Sequence, residues 1–529
     1  MPVANVAALF HSGHSSHSGV MSEGAPASKA SGVARRPCLL IMLVCALTAL
    51  PAMAMADADT LPANIARVAS ALGVAPADFS IAVHEIGQPQ ALLRHNAAVM
   101  RTPASTMKLV TTFAALQGLT PAYRWKTEAY AQGPIRDGVL EGDLILRGSG
   151  DPYLVQEEFW KLTNGINAAG VRRIEGDLVF DNSHFRLPPE SAGAFDGEPD
   201  RVYNLVPHPL LVNFNAMRFE FEPAGSDVRV TTAPALRNVE VRNRLRIQPG
   251  ACGGFQRGIA LHVLEPPQRN QVSLEGAFPA TCQRYAMTRS VLEPETYAFG
   301  LFDKYWSQLG GELTGQWRNG DFAAGVHPVP AQLLANASNS EPPAVLEPFH
   351  VHYSRSLGEI VRLVNKYSNN VMTRHLQLTL GAERFEPPAT PEKGEQATLD
   401  VLATFGIDTT GMVIDNPSGL SRTALLSADQ LASLLTAAWD APYMPEFISS
   451  LAISGLDGTL THRFRSMPEA GRMHLKTGTI DNVSAIAGYV HTLDNRRLVV
   501  VVMVNAPLAH RGPGEEIQDA VLRWAFHSS

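Results

Sequence analysis

Lysine is scarce in this chain of 529 residues: it supplies only eight of the 43 basic residues, and the other 35 are arginine. Because arginine stays protonated in proteins whereas lysine can lose its proton, each retained lysine is a candidate for chemistry. Long runs of one charge sign are also lacking, and the formal net charge is only -7. The charge pattern therefore indicates neither a nucleic-acid partner nor an anionic surface as partner.

Long apolar runs are lacking after residue 56, and the run before it is short. Two arginines precede an apolar run over 39–50, which leads into small residues of Ala-x-Ala type. This run is too short for an ordinary spanning helix and matches the core of a secretory signal. We expect a signal peptide over 1–56, cleaved after Ala54 or Ala56, with Met21 as an alternative start. An uncleaved anchor is the alternative; either way the protein is exported, and a periplasmic location is expected.

Cysteine is nearly absent. Two of the four cysteines, Cys38 and Cys45, lie in the signal segment, so the mature chain keeps Cys252 and Cys282. Two cysteines in an oxidising compartment favour one disulfide, and two unpaired buried thiols are the alternative. Val44 is not the small residue that a lipoprotein signal needs before its cysteine, so no lipid anchor is expected.

The mature chain is too long for one modest core, and its patterns change twice along its length. Residues 121 to about 345 contain short β-like runs with many turn residues, which we interpret as one or two inserted β-rich domains. Paired strands are predicted around Gly87. Further strands are predicted over 473–478, 483–490 and 498–504, and helices over 63–74, 357–380, 428–439 and 516–526.

Ser105 is the only serine that lies three residues before a lysine. Thr102 can cap a helix, Pro103 suits its first position, and an apolar run follows, so a helix start is predicted here. Ser105 and Lys108 then share one face, where a neutral amine can take the proton of the hydroxyl. By itself the motif is weak, because a surface pair on a plain helix is the alternative.

A second motif, Ser368-Asn369-Asn370, falls where helical periodicity is interrupted. A hydroxyl and a carboxamide at such a break can relay a proton and hold a peptide amide. A simple turn is the alternative for this motif taken alone.

The third motif is Lys476-Thr477-Gly478-Thr479 on a predicted strand. The ammonium and the hydroxyls can bind a carboxylate, and Gly478 allows a substrate backbone to approach. An exposed strand edge can supply the N–H of Thr479, together with that of Ser105, to an oxyanion hole. A plain strand end is the alternative.

The three motifs occur in the order and on the elements that a penicillin-recognising site requires. The chain resembles the low-molecular-mass class C penicillin-binding proteins, the D-alanyl-D-alanine carboxypeptidases and endopeptidases of penicillin-binding protein 4 type. The separation of Ser105 and Ser368, 368 − 105 = 263 residues, matches a family whose members house inserted domains there. Supporting stretches are similar too: 146–152, 174–178, 418–422 and 457–459.

The resemblance implies an α/β (α+β) fold: a penicillin-recognising serine transpeptidase, β-lactamase-like domain with an antiparallel sheet flanked by helices. This domain is expected over 57–120 and 345–529. Inserted β-rich structure is expected over 121–344, with 207–300 as a candidate nested third domain.

The resemblance also implies a serine acyl-enzyme mechanism on peptidoglycan stem peptides and cross-links, with β-lactam antibiotics as acylating inhibitors. The implied catalytic residues are Ser105 as nucleophile, Lys108 as base, Ser368 and Lys476 for proton transfer to the leaving amine, and Asn370 for the substrate amide. The implied substrate-binding residues are Thr477, Gly478 and Thr479.

Neither a metal nor an organic cofactor is expected, since His350 and His352 lack partners at ligand spacing. Peripheral membrane association and oligomeric state stay open, as does the balance between carboxypeptidase and endopeptidase activity.

Asn369 departs from the family, in which many members have aspartate. A β-lactamase is the enzymic alternative, but no Glu-x-x-Leu-Asn segment lies between Ser368 and Lys476. A wall-binding protein of the same fold without catalysis is the other alternative, and the intact motifs argue against it.

Overall fold

The computed structural model describes residues 60–252, 258–264, 270–320 and 347–528. The predicted signal peptide and its two cysteines lie outside the described residues. The helices are α1 Ala63–Ala71, α2 Met107–Leu119, α3 Gln156–Ala168, α4 Pro294–Gln308, α5 Leu357–Tyr367, α6 Asn370–Phe385, α7 Pro391–Thr404, α8 Ala428–Asp440, α9 Met444–Ser450 and α10 Pro513–His527.

The strands are β1 Phe79–Glu85, β2 Ala91–His95, β3 Lys126–Gln132, β4 Ile135–Arg136, β5 Val139–Leu140, β6 Asp143–Gly148, β7 Arg173–Ile174, β8 Leu178–Asp181, β9 Met217–Ala224, β10 Asp227–Ala233, β11 Glu240–Gln248, β12 Ile259–Val263, β13 Gln271–Pro279, β14 Tyr285–Arg289, β15 Glu312–Leu313, β16 Trp317–Gly320, β17 His350–Tyr353, β18 Ala452–Ile453, β19 Met473–Ile480, β20 Val483–His491 and β21 Arg497–Asn505.

The first and last parts of the chain build one antiparallel sheet, in the order β18-β19-β20-β21-β1-β2. β20 and β21 are almost completely buried, which explains why their sequences are continuous apolar runs without alternation. Helices α1 and α10 pack over one core of this sheet, and α8 also lies against it. The three consecutive strands predicted near the C-terminus and the strand pair around Gly87 are confirmed.

The middle of the chain, here called the middle segment and comprising the described residues of 121–344, has its own sheets and a separate apolar core. It is rich in short strands, as predicted, but it also contains two helices that were not predicted, α3 and α4. Phe159, Leu162 and Ile166 form the buried face of α3 at helical spacing. The strand β17 pairs with β3, so the chain completes a sheet of the middle segment before α5 begins.

Cys252 and Cys282 are joined by a disulfide. They follow β11 and β13, which are parallel neighbours in one sheet. Within the described residues, no helix combines the length and the apolar character needed to cross a membrane.

Candidate active site

Ser105 lies in a tight 3-10 turn over Ala104–Thr106, here called the serine turn, and α2 begins only after it, at Met107. The predicted cap at Thr102 is wrong, because no side chain caps this start. Instead, the N–H of Thr102 donates to Asn505 Oδ1 at 2.9 Å. The end of β21 therefore holds the chain that enters the turn.

Two glycines let neighbouring segments reach the backbone of the serine turn. A Cβ on Gly419, whose φ is +76°, would lie 1.8 Å from the carbonyl oxygen of Ala104. A Cβ on Gly478 would lie 2.8 Å from the backbone nitrogen of Ser105. Gly478, predicted to admit substrate, thus lies against the protein's own serine turn. Any other residue at either position displaces that turn.

Lys108 is completely buried, and its Nζ has three hydrogen-bond neighbours. Ser105 Oγ lies 3.0 Å away, Asn370 Oδ1 2.7 Å and the carbonyl oxygen of Ser418 2.6 Å. Burial, and to a smaller extent the charge of Lys476, lowers the pKa of Lys108 well below its usual value. A neutral amine has two hydrogens and one lone pair. Because the carboxamide and carbonyl oxygens can only accept, they take both hydrogens, and the lone pair is left for the Ser105 hydroxyl.

The second motif stands at the junction of α5 and α6, so the predicted break in the helix is confirmed. Ser368 has the left-handed conformation, with φ 57°. Asn369 caps α6 by accepting a hydrogen bond from the N–H of Met372 at 3.0 Å. Asparagine and aspartate serve equally well as helix caps, which explains why asparagine is tolerated at this position.

Lys476 lies on β19 beside the second motif. Its Nζ is 2.9 Å from Ser368 Oγ and 2.7 Å from the carbonyl oxygen of Thr477. Burial lowers the pKa of Lys476 to about 7. The side chain can therefore exchange a proton near neutral pH. The hydroxyl of Thr477 lies 2.9 Å from that of Thr459.

One edge of β19 pairs with β18 near its start and faces the serine turn farther along. The carbonyl of Met473 accepts from Ser454 on the β18 side, and that of Arg472 accepts from His491 on the β20 side. Because backbone directions alternate along a strand, the N–H of Thr479 points to the β18 side. β18 ends before this point, and the serine turn packs there instead.

A cavity of about 640 Å³ opens beside Asn370. Its walls come from 187–205 of the middle segment, from α6 and α7, and from 414–422. Asn370 Nδ2 donates to the carbonyl oxygen of Tyr203 at 3.0 Å. The guanidinium of Arg422 lies over the ring of Phe195 at 4.8 Å. Tyr203 and Phe195 were not predicted as site residues, because no sequence motif marks this part of the middle segment.

Within the described residues, no group of three or more histidine, cysteine, aspartate or glutamate side chains is arranged to hold a metal ion.

The antiparallel sheet, the helix break at Ser368 and the two buried lysines, Lys108 and Lys476, together define the class of penicillin-recognising serine enzymes. This confirms the predicted fold class. The chain belongs to the D-Ala-D-Ala carboxypeptidase 3 (S13) family, whose pattern matches residues 61–527. It is a serine-type D-Ala-D-Ala carboxypeptidase, a hydrolase, as the sequence predicts.

Similar proteins agree with this assignment. The chain is 30% identical over 436 residues to a D-alanyl-D-alanine carboxypeptidase of Actinomadura sp. (strain R39), covering 79% of this chain and 76% of that one. It is 24% identical over 426 residues to the D-alanyl-D-alanine carboxypeptidase DacB of Haemophilus influenzae, covering 79% and 84%. The crystal structure of penicillin binding protein 4 from Haemophilus influenzae shares the fold, with a TM-score of 0.72 at 20% identity, covering 88% of this chain and all of that one.

Proposed function

We propose that Ser105 is the acylating nucleophile and that neutral Lys108 is its base. The observation that carries this proposal is the surrounding of Lys108 Nζ, where Asn370 Oδ1 and the Ser418 carbonyl engage both amine hydrogens. The Ser105 hydroxyl proton passes to Lys108, and Oγ attacks the carbonyl carbon of the penultimate D-alanine. The N–H groups of Ser105 and Thr479 stabilise the tetrahedral oxyanion.

Breakdown of this intermediate needs a proton for the departing amine. Ser368 and Lys476 are 2.9 Å apart and supply it, which leaves an ester of Ser105. Water then hydrolyses the ester: Lys108 returns its proton to Ser105 Oγ, the proton lost by water replaces the one given up by Ser368 and Lys476, and the shortened peptide is released. Asn370 holds the substrate amide.

The leaving residue carries a carboxylate, and we assign its binding to Lys476, Thr477 and Thr479. The ammonium supplies the attraction, and the hydroxyls supply hydrogen bonds of the stronger, charge-assisted kind. Gly478 keeps the serine turn close to this strand, because its missing side chain leaves room for the turn.

Labelling with a fluorescent penicillin tests the assignment. The wild type forms a stable adduct, and Ser105→Ala forms none. Ser307→Ala is the matched control, since Ser307 is a helical serine of α4 in the middle segment. Label on Ser105→Ala would mean that another serine is acylated. Rapid turnover of the wild-type adduct would favour a β-lactamase instead.

The wider setting of the enzyme is part of the same proposal. We place it in the periplasm, exported through the signal segment 1–56, where the disulfide of Cys252 and Cys282 forms. Its substrates are D-alanyl-D-alanine ends and cross-links of peptidoglycan peptides, and β-lactams acylate it. We assign the inserted segment 121–344 the task of shaping the cleft. Digestion of cross-linked wall peptides checks both activities: monomers report endopeptidase action, and free D-alanine reports carboxypeptidase action.

A further inference from the structure

We propose that Thr459 is a positioning residue that aims the hydroxyl of Thr477 at the substrate carboxylate. The inference rests on the proposed function, in which Thr477 binds that carboxylate. It adds the turn over 457–459, which has no role in the proposed acylation mechanism. We call this segment the 457 turn.

The 457 turn is held by an ion pair between a buried lysine and an aspartate whose side chain is 32% exposed. Lys366, whose side chain is 4% exposed, donates to Asp457 Oδ2 at 2.6 Å and to the carbonyl oxygen of Leu451 at 2.7 Å. The other oxygen of Asp457 accepts from the N–H of Ile453 at 2.8 Å. Both carboxylate oxygens and the ammonium are therefore engaged, which fixes the turn in one place.

The 457 turn also rests directly on the end of α5. Gly458 has φ +58°, and a Cβ there would lie 2.7 Å from the carbonyl oxygen of Lys366. Only glycine fits such a contact at such a φ without displacing its neighbours. Since Ser368 follows Lys366 by two residues, the helix end that supports the turn also carries a residue of the second motif.

Thr459 connects this turn to the third motif through a hydrogen bond between side chains. Its Oγ1 lies 2.9 Å from Thr477 Oγ1. A hydroxyl has one hydrogen and two lone pairs, and it can rotate. When a carboxylate binds, Thr459 donates to Thr477, and the hydroxyl hydrogen of Thr477 is then directed to the carboxylate. Without Thr459, the Thr477 hydroxyl rotates freely.

The test compares acylation by benzylpenicillin with acylation by its neutral methyl ester. We expect Thr459→Val to lower the acylation rate constant, kcat/KM, about tenfold for the acid, the size expected when a hydrogen bond to a charged group is lost. The ester, which lacks the charge, should change by less than about twofold. Thr459→Ser keeps the hydroxyl and should restore the preference for the acid.

Thr461→Val is the matched control, because Thr461 Oγ1 bonds to Gly458 O of the same turn rather than to Thr477. It should leave the ratio of acid to ester rates unchanged. An equal loss for acid and ester in Thr459→Val would overturn the inference and indicate a general distortion of the site.

Thr477→Val separates this inference from the proposed function. If it removes the preference for the acid while Thr459→Val keeps it, the positioning role of Thr459 is wrong and carboxylate binding by Thr477 stands. If neither variant alters the preference, carboxylate binding by Thr477 is itself wrong. The inference is supported when both variants lose the preference and the double variant loses no more than either alone.

Discussion

Asn369 Oδ1 accepts a hydrogen bond from the N–H of Met372 at 3.0 Å and so caps the helix that begins at Asn370. Asn370 in turn accepts from Lys108, so the cap stands next to the base of the proposed mechanism. The residue that departs from the family pattern thus has a structural task that either asparagine or aspartate fulfils.

Asn369→Asp should keep the penicillin acylation rate within about threefold of the wild type, because the carboxylate accepts the same N–H at a helix start. Asn369→Ala should lower the free energy of unfolding by about 1 kcal/mol, the typical value of a lost cap. Acylation kinetics and thermal unfolding measure the two effects. A loss of acylation in Asn369→Asp at unchanged stability would show that the carboxamide itself is needed.

Gly419→Ala should abolish acylation. The alanine Cβ would lie 1.8 Å from the carbonyl oxygen of Ala104 and would displace the serine turn. Gly411→Ala is the control: its φ is also positive, at +74°, but a Cβ there would come no closer than 3.7 Å to any neighbour. Fluorescent penicillin labelling of folded protein, checked by circular dichroism, gives the readout. Equal labelling of the two variants would contradict the proposed packing.

The pH profile of acylation should have two limbs. The rate rises with pH as Lys108 loses its proton. Burial lowers the pKa of Lys108 well below its usual value, so this limb lies at correspondingly lower pH. For a carboxylate-bearing penicillin, the rate falls again as Lys476 loses its charge, around its pKa of about 7. A neutral ester should show a shallower falling limb, because it loses only the proton transfer through Ser368 and Lys476 and not the attraction of a carboxylate. Identical profiles for acid and ester would contradict the assignment of the carboxylate to Lys476.

Replacing both Cys252 and Cys282 by serine should destabilise the middle segment but leave the acylation rate at 25 °C within about twofold. The bond links residues separated by 30 positions, for which loss of the cross-link costs about 4 kcal/mol by loop-closure entropy. Thermal unfolding measures the first effect and penicillin labelling the second. A slow acylation rate in the fully folded variant would show that the strands beside the disulfide act on the site.

Much of the site could be predicted from the spacing of residues along the chain. Ser105 and Lys108 meet because residues three apart lie close together where the serine turn continues into α2. Ser368 stands out because helical periodicity breaks at it. The strands around Lys476 are apolar runs separated by turn residues, so their antiparallel order follows from the chain alone.

Other parts of the site depend on contacts that no local pattern records. The Ser418 carbonyl that meets Lys108 is 310 residues away along the chain, and a carbonyl gives no signal in a sequence. The close approach of Gly419 to Ala104, the contact of Tyr203 with Asn370 and the pairing of Thr459 with Thr477 are of the same kind. Residue order and spacing were enough for the family, the motifs and the central strands. Only the tertiary structure determined the burial and the hydrogen-bond partners of Lys108 and Lys476, because packing between distant segments sets both.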